Sequence, residues 1–484
     1  MYPLPLQGVY LTTTDELDEL FFAAERADKK NGVSPLVAIG SYAGSNGATC
    51  RANIDKLAGQ HCAVLGSTGS GKSGTVAALI HSIINHKRDE SDDTILPRVV
   101  IIDPHGEYGA AFKGKCQILR AYPSAAHDEG GVELRLPFWL MSGDELRALI
   151  IGKSDAEATS QKNIVYKALK HARMVAAGIV EPLPVAVTGD FPVSLREGKS
   201  QADISAFDRD KPIRFSLEEF ERHIDLVQGQ KVGTNVRLSV SDRKPHDSIL
   251  DKLSVIRSDP RLRFLINDAP GGSLANCIHQ LTGAAGDGVT LKIVDISGVP
   301  NEVAGTLTAL ICRLLFNLKT WQTRQEREND PVLLVCEEAH RYVPDRGDAQ
   351  YKEAQDALRR IAREGRKYGL GLMLVSQRPS DVESTVLSQC NTWIILRLSN
   401  GADQDHVRRF LPDNLVGLTK MLPSLGRQEA LFIGEASALP ARIRIMELSE
   451  NQLPNSNDIS FVGGWAHEPA TENDIEMVAS RWTS

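Results

Sequence analysis

Residues 61–84, HCAVLGSTGSGKSGTVAALIHSII, determine how the rest of the chain is interpreted. They run from a short apolar strand through a glycine-rich loop into an apolar helix. The loop GSTGSGKS, residues 66–73, has the spacing G-x-x-x-x-G-K-[ST]. Glycines let the backbone curl so that successive N–H groups point at one phosphate, and the helix adds its positive N-terminus. The segment therefore predicts a phosphate-binding loop that opens a parallel α/β sheet.

This loop predicts a site for ATP and Mg²⁺. Lys72 is expected to reach the β- and γ-phosphates, and the hydroxyl of Ser73 is a predicted Mg²⁺ ligand. The apolar strand before the loop and the helix after it make a chance match to the spacing improbable. The residues predicted to bind the nucleotide are Gly66, Ser67, Thr68, Gly69, Ser70, Gly71, Lys72, Ser73 and Gly74.

Further apolar segments predict the other strands of the sheet. They are RVVIID (98–103), VTLKIVDIS (289–297), PVLLVCEE (331–338), GLGLMLVSQ (369–377) and TWIILRLS (392–399). Continuous apolar runs of this length are typical of parallel strands that are covered on both faces. The expected fold class is therefore α/β with a mostly parallel sheet.

Two carboxylates end the strand LLVCEE, and a glutamine ends a second strand. Glu337 is predicted to hold Mg²⁺ through water, although Asp is the usual residue at this position. Glu338 is predicted to polarise the water that attacks ATP. Gln377, in the segment SQRP, is predicted to lie near the γ-phosphate as a sensor of hydrolysis.

The segment ALRRIAREGRKYG, residues 357–369, predicts a basic helix. For Arg359 and Arg360, a basic helix face that is exposed to solvent explains the sequence as well as a functional role does. Arg363 and Arg366 precede the strand that carries Gln377, and either is a candidate arginine finger. Such a finger acts on the ATP of a neighbouring subunit, which would require an oligomer.

Other polar residues of these segments receive less specific interpretations. His105 and His340 have no His or Cys partner at metal-ligand spacing, so we predict structural or site-shaping roles. Asp103 and Glu107 lie at the mouth of the second strand, where they would either support Mg²⁺ or simply face water.

Charge and cysteine content limit the classes of partner and compartment. The net charge is -7, so any DNA contact must be local rather than spread over the surface. The number of cysteines, seven, is odd and no C-x-x-C occurs, which disfavours a disulfide framework or a zinc site. The N-terminal sequence has neither a basic start nor a long apolar run, so we expect a cytoplasmic protein without a membrane span.

The composition along the chain predicts five segments. Residues 1–52 are expected to form a small β module, 53–137 and 275–440 two parts of the ATPase core, 138–274 a helical insertion and 441–484 a C-terminal arm.

Seven segments, in order, resemble the HerA ATPases of the FtsK–HerA superfamily of P-loop NTPases. They are HCAVLGSTGSGKS, IIDPHGEY, LRLPFWLMSGDEL, LKIVDISGVP, VLLVCEEAHRYVP, IAREGRKYGLGLMLVSQRP and SQCNTWIILRLSN, and they cover most of residues 50–445. The resemblance implies a RecA-like core with a helical bundle inserted after the second strand. It also implies an N-terminal β-barrel, reduced here to about 50 residues, a C-terminal arm and a hexameric ring around a DNA-sized channel.

By residue, the resemblance places nucleotide binding on 69–73, catalysis on Glu338, sensing on Gln377 and the finger on Arg363 or Arg366. HerA proteins work with a nuclease, and some are paired with effectors in anti-phage systems. The leading interpretation is an ATP-driven translocase of double-stranded DNA that serves such a partner. The alternatives are a ring scaffold that regulates an effector without translocation, and a conjugation or secretion ATPase.

Overall fold

The computed structural model describes most of the 484 residues. The described ranges are 13–44, 47–88, 93–122, 130–151, 158–184, 194–230, 237–266, 272–284, 287–345, 352–412, 415–456 and 460–483.

Twelve strands within these ranges form one continuous sheet. They are β1 (Leu36–Tyr42), β2 (Thr49–Asn53), β3 (Cys62–Leu65), β4 (Arg98–Asp103), β5 (Cys116–Arg120), β6 (Val132–Glu133), β7 (Leu291–Asp295), β8 (Val332–Cys336), β9 (Leu370–Ser376), β10 (Thr392–Ile395), β11 (Glu429–Gly434) and β12 (Ala441–Ile445). The spatial order is β2-β1-β12-β11-β10-β3-β9-β8-β4-β7-β5-β6.

The sheet has a parallel part and an antiparallel part. The strands from β10 to β6 in spatial order are parallel to one another. The strands β11, β12, β1 and β2 extend that sheet as an antiparallel annex. The predicted fold class, α/β with a mostly parallel sheet, is confirmed.

Helices cover both faces of the sheet and extend beyond it. In the described ranges they are α1 (Thr14–Ala24), α2 (Ile54–Leu57), α3 (Lys72–Ile84), α4 (Tyr108–Ala111), α5 (Gly143–Ile151), α6 (Ala158–Ala176), α7 (Gln201–Ala206), α8 (Leu217–Arg222), α9 (Val240–Ser258), α10 (Arg263–Ile266), α11 (Leu274–Thr282), α12 (Asn301–Trp321), α13 (Arg324–Asn329), α14 (Lys352–Tyr368), α15 (Ser384–Leu387), α16 (Gly401–Arg408), α17 (Val416–Thr419), α18 (Phe461–Trp465) and α19 (Glu472–Thr483).

Every residue of β3, β8 and β9 is buried, because both faces of these strands are covered. The helix α3 packs on one face, and α12, α14 and the helices of 138–266 pack on the other. By length and composition α12 could cross a membrane, but 78% of its apolar window is buried inside the protein, as in the core helix of a globular domain. The apolar layers on the two faces of the sheet keep the carboxyl ends of the central strands in fixed positions relative to one another.

The predicted separate β module at 1–52 differs from the observed structure. Its residues 1–12 lie outside the described ranges, and the following residues form a helix, α1, and the strands β1 and β2. Both strands belong to the main sheet, where Gly40 of β1 is paired with Ile445 of β12. The expectation of a separate module was wrong because the annex is completed by residues about 400 positions away.

Two other expectations need adjustment. The strand β12 falls within the predicted arm, 441–484, yet it lies in the sheet. The helical segment follows β5 and β6 at the sheet edge, not the second predicted strand directly. Beyond the sheet, the described residues of the helices α18 and α19 are exposed, apart from the half-buried Asp474.

Candidate nucleotide site

The phosphate-binding loop, residues 66–71, connects β3 to α3 at the carboxyl edge of the sheet. Gly69 and Gly71 have φ values of 73° and 96°, a region that residues with a side chain rarely adopt. A Cβ on Gly69 or on Gly74 would meet no atom within 4 Å. The loop therefore borders open space at the N-terminus of α3, where backbone N–H groups can bind a phosphate.

Three neighbouring segments hold the loop in this shape. The N–H of Gly66 donates to the carbonyl of Ser376 at 3.2 Å, and the N–H of Ser67 donates to that of Arg397 at 2.9 Å. On the other side, the N–H of Gln428 donates to the carbonyl of Ser70 at 3.2 Å. The ends of β9 and β10 and the turn before β11 thus fix the path of the loop.

Glu337 follows β8 and is buried, with 5% of its surface exposed. The hydroxyl of Tyr108 donates a hydrogen bond to its carboxylate. Burial raises the pKa of Glu337 to about 7, against the opposing influence of the Lys72 charge. A buried carboxylate in this state favours a nearby cation, which agrees with its predicted role as a Mg²⁺ ligand.

Glu338 lies beside Glu337 in a left-handed backbone conformation, with φ 51° and ψ 44°. One oxygen of its carboxylate, Oε2, accepts a hydrogen bond from Gln377 Nε2 at 3.1 Å and lies 3.2 Å from His340 Nδ1. The other, Oε1, lies 4.0 Å from His105 Nε2. These contacts fix the carboxylate at the edge of the sheet, so His340 has the site-shaping place that its sequence context predicted.

Gln377 connects this carboxylate to the phosphate-binding loop. Its Oε1 accepts a hydrogen bond from the hydroxyl of Thr68 at 2.7 Å, while its Nε2 donates to Glu338. The strand order explains the contact, because β9 lies between β3 and β8. The loop, Gln377 and Glu338 therefore follow three adjacent parallel strands.

The residues present fit ATP with Mg²⁺. The side-chain oxygen of Ser70 is buried and has no hydrogen-bond partner among the described residues. Ser73 and Glu337 offer the oxygen ligands that Mg²⁺ prefers. Within the ranges given above, no three His, Cys, Asp or Glu side chains form a metal cluster. A Mg²⁺ ion that keeps water and phosphate ligands needs no such cluster.

Asp103 has a structural role at the end of β4. Its carboxylate accepts hydrogen bonds from the N–H groups of His105, Gly106 and Tyr108 at 3.1, 2.9 and 3.0 Å. Burial raises its pKa to about 7. These bonds shape the turn that brings Tyr108 to Glu337.

The two candidate finger residues are not part of the cluster formed by the phosphate-binding loop, the two glutamates and Gln377. Arg366 lines an apolar cavity of about 290 Å³ at the amino ends of β4, β8 and β9. Arg363 is exposed and lines a polar cavity with Arg359 and Glu383. In the described part of the chain, neither forms an ion pair or hydrogen bond with the loop, the two glutamates or Gln377. A role on the chain's own ATP is not favoured, and the role on a neighbour's ATP stays a prediction.

Two contacts of the site were absent from the sequence interpretation. Tyr108, which donates to Glu337, lies in the segment DPHGEY, whose sequence points to Asp103, His105 and Glu107 instead. The sequence indicates Thr68 only as a residue of the phosphate-binding loop and gives no sign of its bond to Gln377. The one available signal was a tyrosine in a polar turn just after a buried strand.

Comparison with known proteins gives a consistent result. The family model for the central domain of helicase HerA matches residues 37–315. A probable helicase of Methanocaldococcus jannaschii is 26% identical, with 92% of this chain and 75% of that protein covered. The DNA double-strand break repair helicase HerA of Pyrococcus furiosus is also 26% identical, with 82% and 67% covered.

Solved structures share the architecture. The conjugative coupling protein TrwB matches with a TM-score of 0.53 at 15% identity, over 93% of this chain and 96% of that one. VirB4 of Thermoanaerobacter pseudethanolicus matches with a TM-score of 0.50 at 17% identity, over 88% and 100%. At these identities the matches establish the fold alone, the RecA-like P-loop ATPase fold.

Proposed function

The chain belongs to the HerA family of ATPases, and from that premise we propose that it is a ring motor that moves double-stranded DNA. One observation carries the proposal. Three adjacent parallel strands bring the loop with Lys72, the sensor candidate Gln377 and the carboxylates Glu337 and Glu338 to one edge of the sheet.

Each of these residues has a defined task in hydrolysis. The backbone N–H groups of the loop and the amine of Lys72 bind the phosphates of ATP. Ser73 and Glu337 would hold Mg²⁺, which supplies positive charge against the β- and γ-phosphates when bound. Glu338 polarises the attacking water, and Gln377 lies between that carboxylate and the loop, where it can respond to the γ-phosphate.

The ring is the second part of the proposal. A finger from a neighbouring subunit, Arg363 or Arg366, would complete each ATP site. The C-terminal helices α18 and α19 carry exposed apolar side chains. Among them, Trp465 is 79% exposed and Trp482 is 89% exposed. Patches of this kind mark protein interfaces, which supports contact of these helices with another chain. We infer a homo-hexamer.

DNA and a partner nuclease or other effector are the third part. Support for DNA comes from the relatives, which are named DNA repair helicases. The partner, the anti-phage role and the cytoplasmic location follow from the sequence interpretation and stay predictions.

The decisive experiment measures ATPase activity with and without duplex DNA over a salt series, alongside the native mass. We expect a hexamer-sized particle and a DNA-stimulated rate that fades as salt rises, because phosphate contacts release counterions. A monomer at micromolar concentration would contradict the ring. A ring that hydrolyses ATP, yet is unaffected by any DNA at low salt with its partner present, would favour the scaffold instead.

A further inference from the structure

The side chain of Thr68 is exposed at the tip of the phosphate-binding loop, but its hydroxyl makes a specific contact. It donates a hydrogen bond of 2.7 Å to Gln377 Oε1. Other groups hold the loop in place: backbone groups of Gly66, Ser67 and Ser70, and the side-chain oxygen of Ser67, which accepts a hydrogen bond from the N–H of Ser399 at 3.2 Å. The hydroxyl of Thr68 instead connects the loop to Gln377.

The chemistry of the three groups makes this contact directional. The Glu338 oxygen Oε2 is the acceptor in its contact with Gln377, so it faces the Nε2 end of the amide. The Oε1 end must then face the loop, where the Thr68 hydroxyl meets it as a donor. An amide turned the other way would place its oxygen against the carboxylate. Glu338 thus selects the orientation of the amide, and the Thr68 hydroxyl, which can donate or accept, anchors the Oε1 end that this orientation presents.

Glu338 depends on such side-chain partners. Its left-handed backbone is a conformation that residues other than glycine adopt at a cost. Of the groups around its carboxylate, Gln377 donates directly at 3.1 Å and is in turn anchored by Thr68. Loss of the Thr68 hydroxyl would free the amide to rotate, and Glu338 would lose a fixed donor.

We propose that Thr68 is a positioning residue for ATP hydrolysis: its hydroxyl fixes the Gln377 amide, and through it the Glu338 carboxylate, so that the loop that binds phosphate also sets the water-polarising group. The proposal rests on the roles given above to Gln377 and Glu338.

The test compares Thr68→Val, which has the same shape without the hydroxyl, with Thr68→Ser, which keeps it. Because the side chain is exposed, both variants should fold. We expect Thr68→Val to lower the single-turnover rate by about tenfold, the loss of roughly one hydrogen bond to reacting groups. Residue 68 is predicted to bind phosphate through its backbone N–H, which valine keeps, so affinity for a fluorescent ATP analogue should fall far less than the rate. Thr68→Ser should recover most of the rate.

A double variant separates positioning from a local effect on the loop. If Thr68 acts through Gln377, Thr68→Val combined with Gln377→Leu should be no slower than Gln377→Leu alone. Additive losses would overturn the proposal, as would a wild-type rate in Thr68→Val or a fall in affinity as large as the fall in rate.

A crystal structure of Thr68→Val gives a readout independent of activity. The Gln377 amide should leave Glu338 in that variant and stay in Thr68→Ser. An unchanged contact between Gln377 and Glu338 in Thr68→Val would overturn the proposal even if the ATPase role itself holds. If wild-type hydrolysis does not exceed that of Lys72→Ala, the proposed function is overturned instead. The crystal structures would still show whether the Thr68 hydroxyl fixes the Gln377 amide.

Discussion

The hydroxyl of Tyr108 donates a hydrogen bond to the carboxylate of Glu337, although the two residues are 229 positions apart in the chain. The contact is possible because β4 and β8 are adjacent parallel strands, so the turn after one meets the end of the other. Tyr108 is fully buried and serves as a fixed donor beside the candidate Mg²⁺ ligand. A side chain outside the nucleotide motifs thus orients the carboxylate of the candidate metal ligand.

Tyr108→Phe should keep the fold and weaken the response to Mg²⁺. The ring remains, but Glu337 loses the donor that orients its carboxylate. We expect the Mg²⁺ concentration for half-maximal ATPase activity to rise by about tenfold. Tyr42→Phe is the matched control, because that buried hydroxyl also donates to a carboxylate, Glu25, far from the site. An equal Mg²⁺ response in both variants would refute the assignment.

Glu338→Gln should bind ATP with Mg²⁺ yet hydrolyse it at least about 100-fold more slowly than the wild type. The substitution keeps the shape of the side chain and removes the carboxylate that we propose polarises water. Binding is checked with a fluorescent analogue and turnover by phosphate release. Lys72→Ala, which removes the phosphate-binding amine, serves as the inactive reference. Loss of nucleotide binding in Glu338→Gln would mean that the residue is a metal ligand or a structural residue.

Mixed rings test whether Arg363 or Arg366 acts on a neighbouring ATP. Lys72→Ala and Arg366→Ala subunits should each be nearly inactive alone. When the two are mixed, some interfaces combine an intact loop with an intact arginine, so partial activity should return. Subunit exchange is verified by native mass measurement. Exchange without recovery, for Arg366 and then for Arg363, would remove the finger assignment.

A buried histidine pair in the helical segment predicts acid sensitivity of folding. His171 and His223 stack at 4.6 Å, and Nδ1 of His223 lies 3.1 Å from Gln228 Nε2. Burial, and then the nearby His171 and Lys167, lower the pKa of His223 from its ordinary value of 6.5 to about 3. Since the folded state favours the neutral ring, its stability is complete above pH 6.5 and falls as the pH drops towards 3.

At pH 5 this one group should cost about 2 kcal/mol of folding free energy. Urea unfolding of the wild type and of His223→Phe between pH 8 and pH 5 measures the difference. The variant lacks the titrating ring, so its stability should depend less on pH. Equal pH dependence in both proteins would show that His223 titrates normally.

The parallel core was predictable because its strands are continuous apolar runs. The strand β4, predicted at 98–103, has those bounds, and the segments around β3, β8 and β9 contain their strands. Covering on both faces leaves a local signal of this kind. The loop, the glutamine and the glutamates reach one edge of the sheet because each follows the carboxyl end of one of those parallel strands.

The antiparallel annex left no such signal. The partner of β1 is β12, about 400 residues away, and no local pattern specifies that pairing. The contacts of Tyr108 and Thr68 were hidden for the same reason, since each joins segments more than 200 positions apart. Sequence could supply the chemistry of Glu337 and Gln377, whereas their partners depend on which strands are neighbours.

At position 338, thermal stability and catalytic turnover favour different residues, because the backbone of Glu338 is left-handed. Glycine adopts φ 51° freely, so Glu338→Gly should relieve roughly 1 kcal/mol of strain while it removes the reactive carboxylate. If Glu338 polarises the attacking water, as proposed, a screen that selects variants by melting temperature alone would therefore enrich inactive proteins at this site. A screen for turnover would keep the glutamate despite its strained backbone.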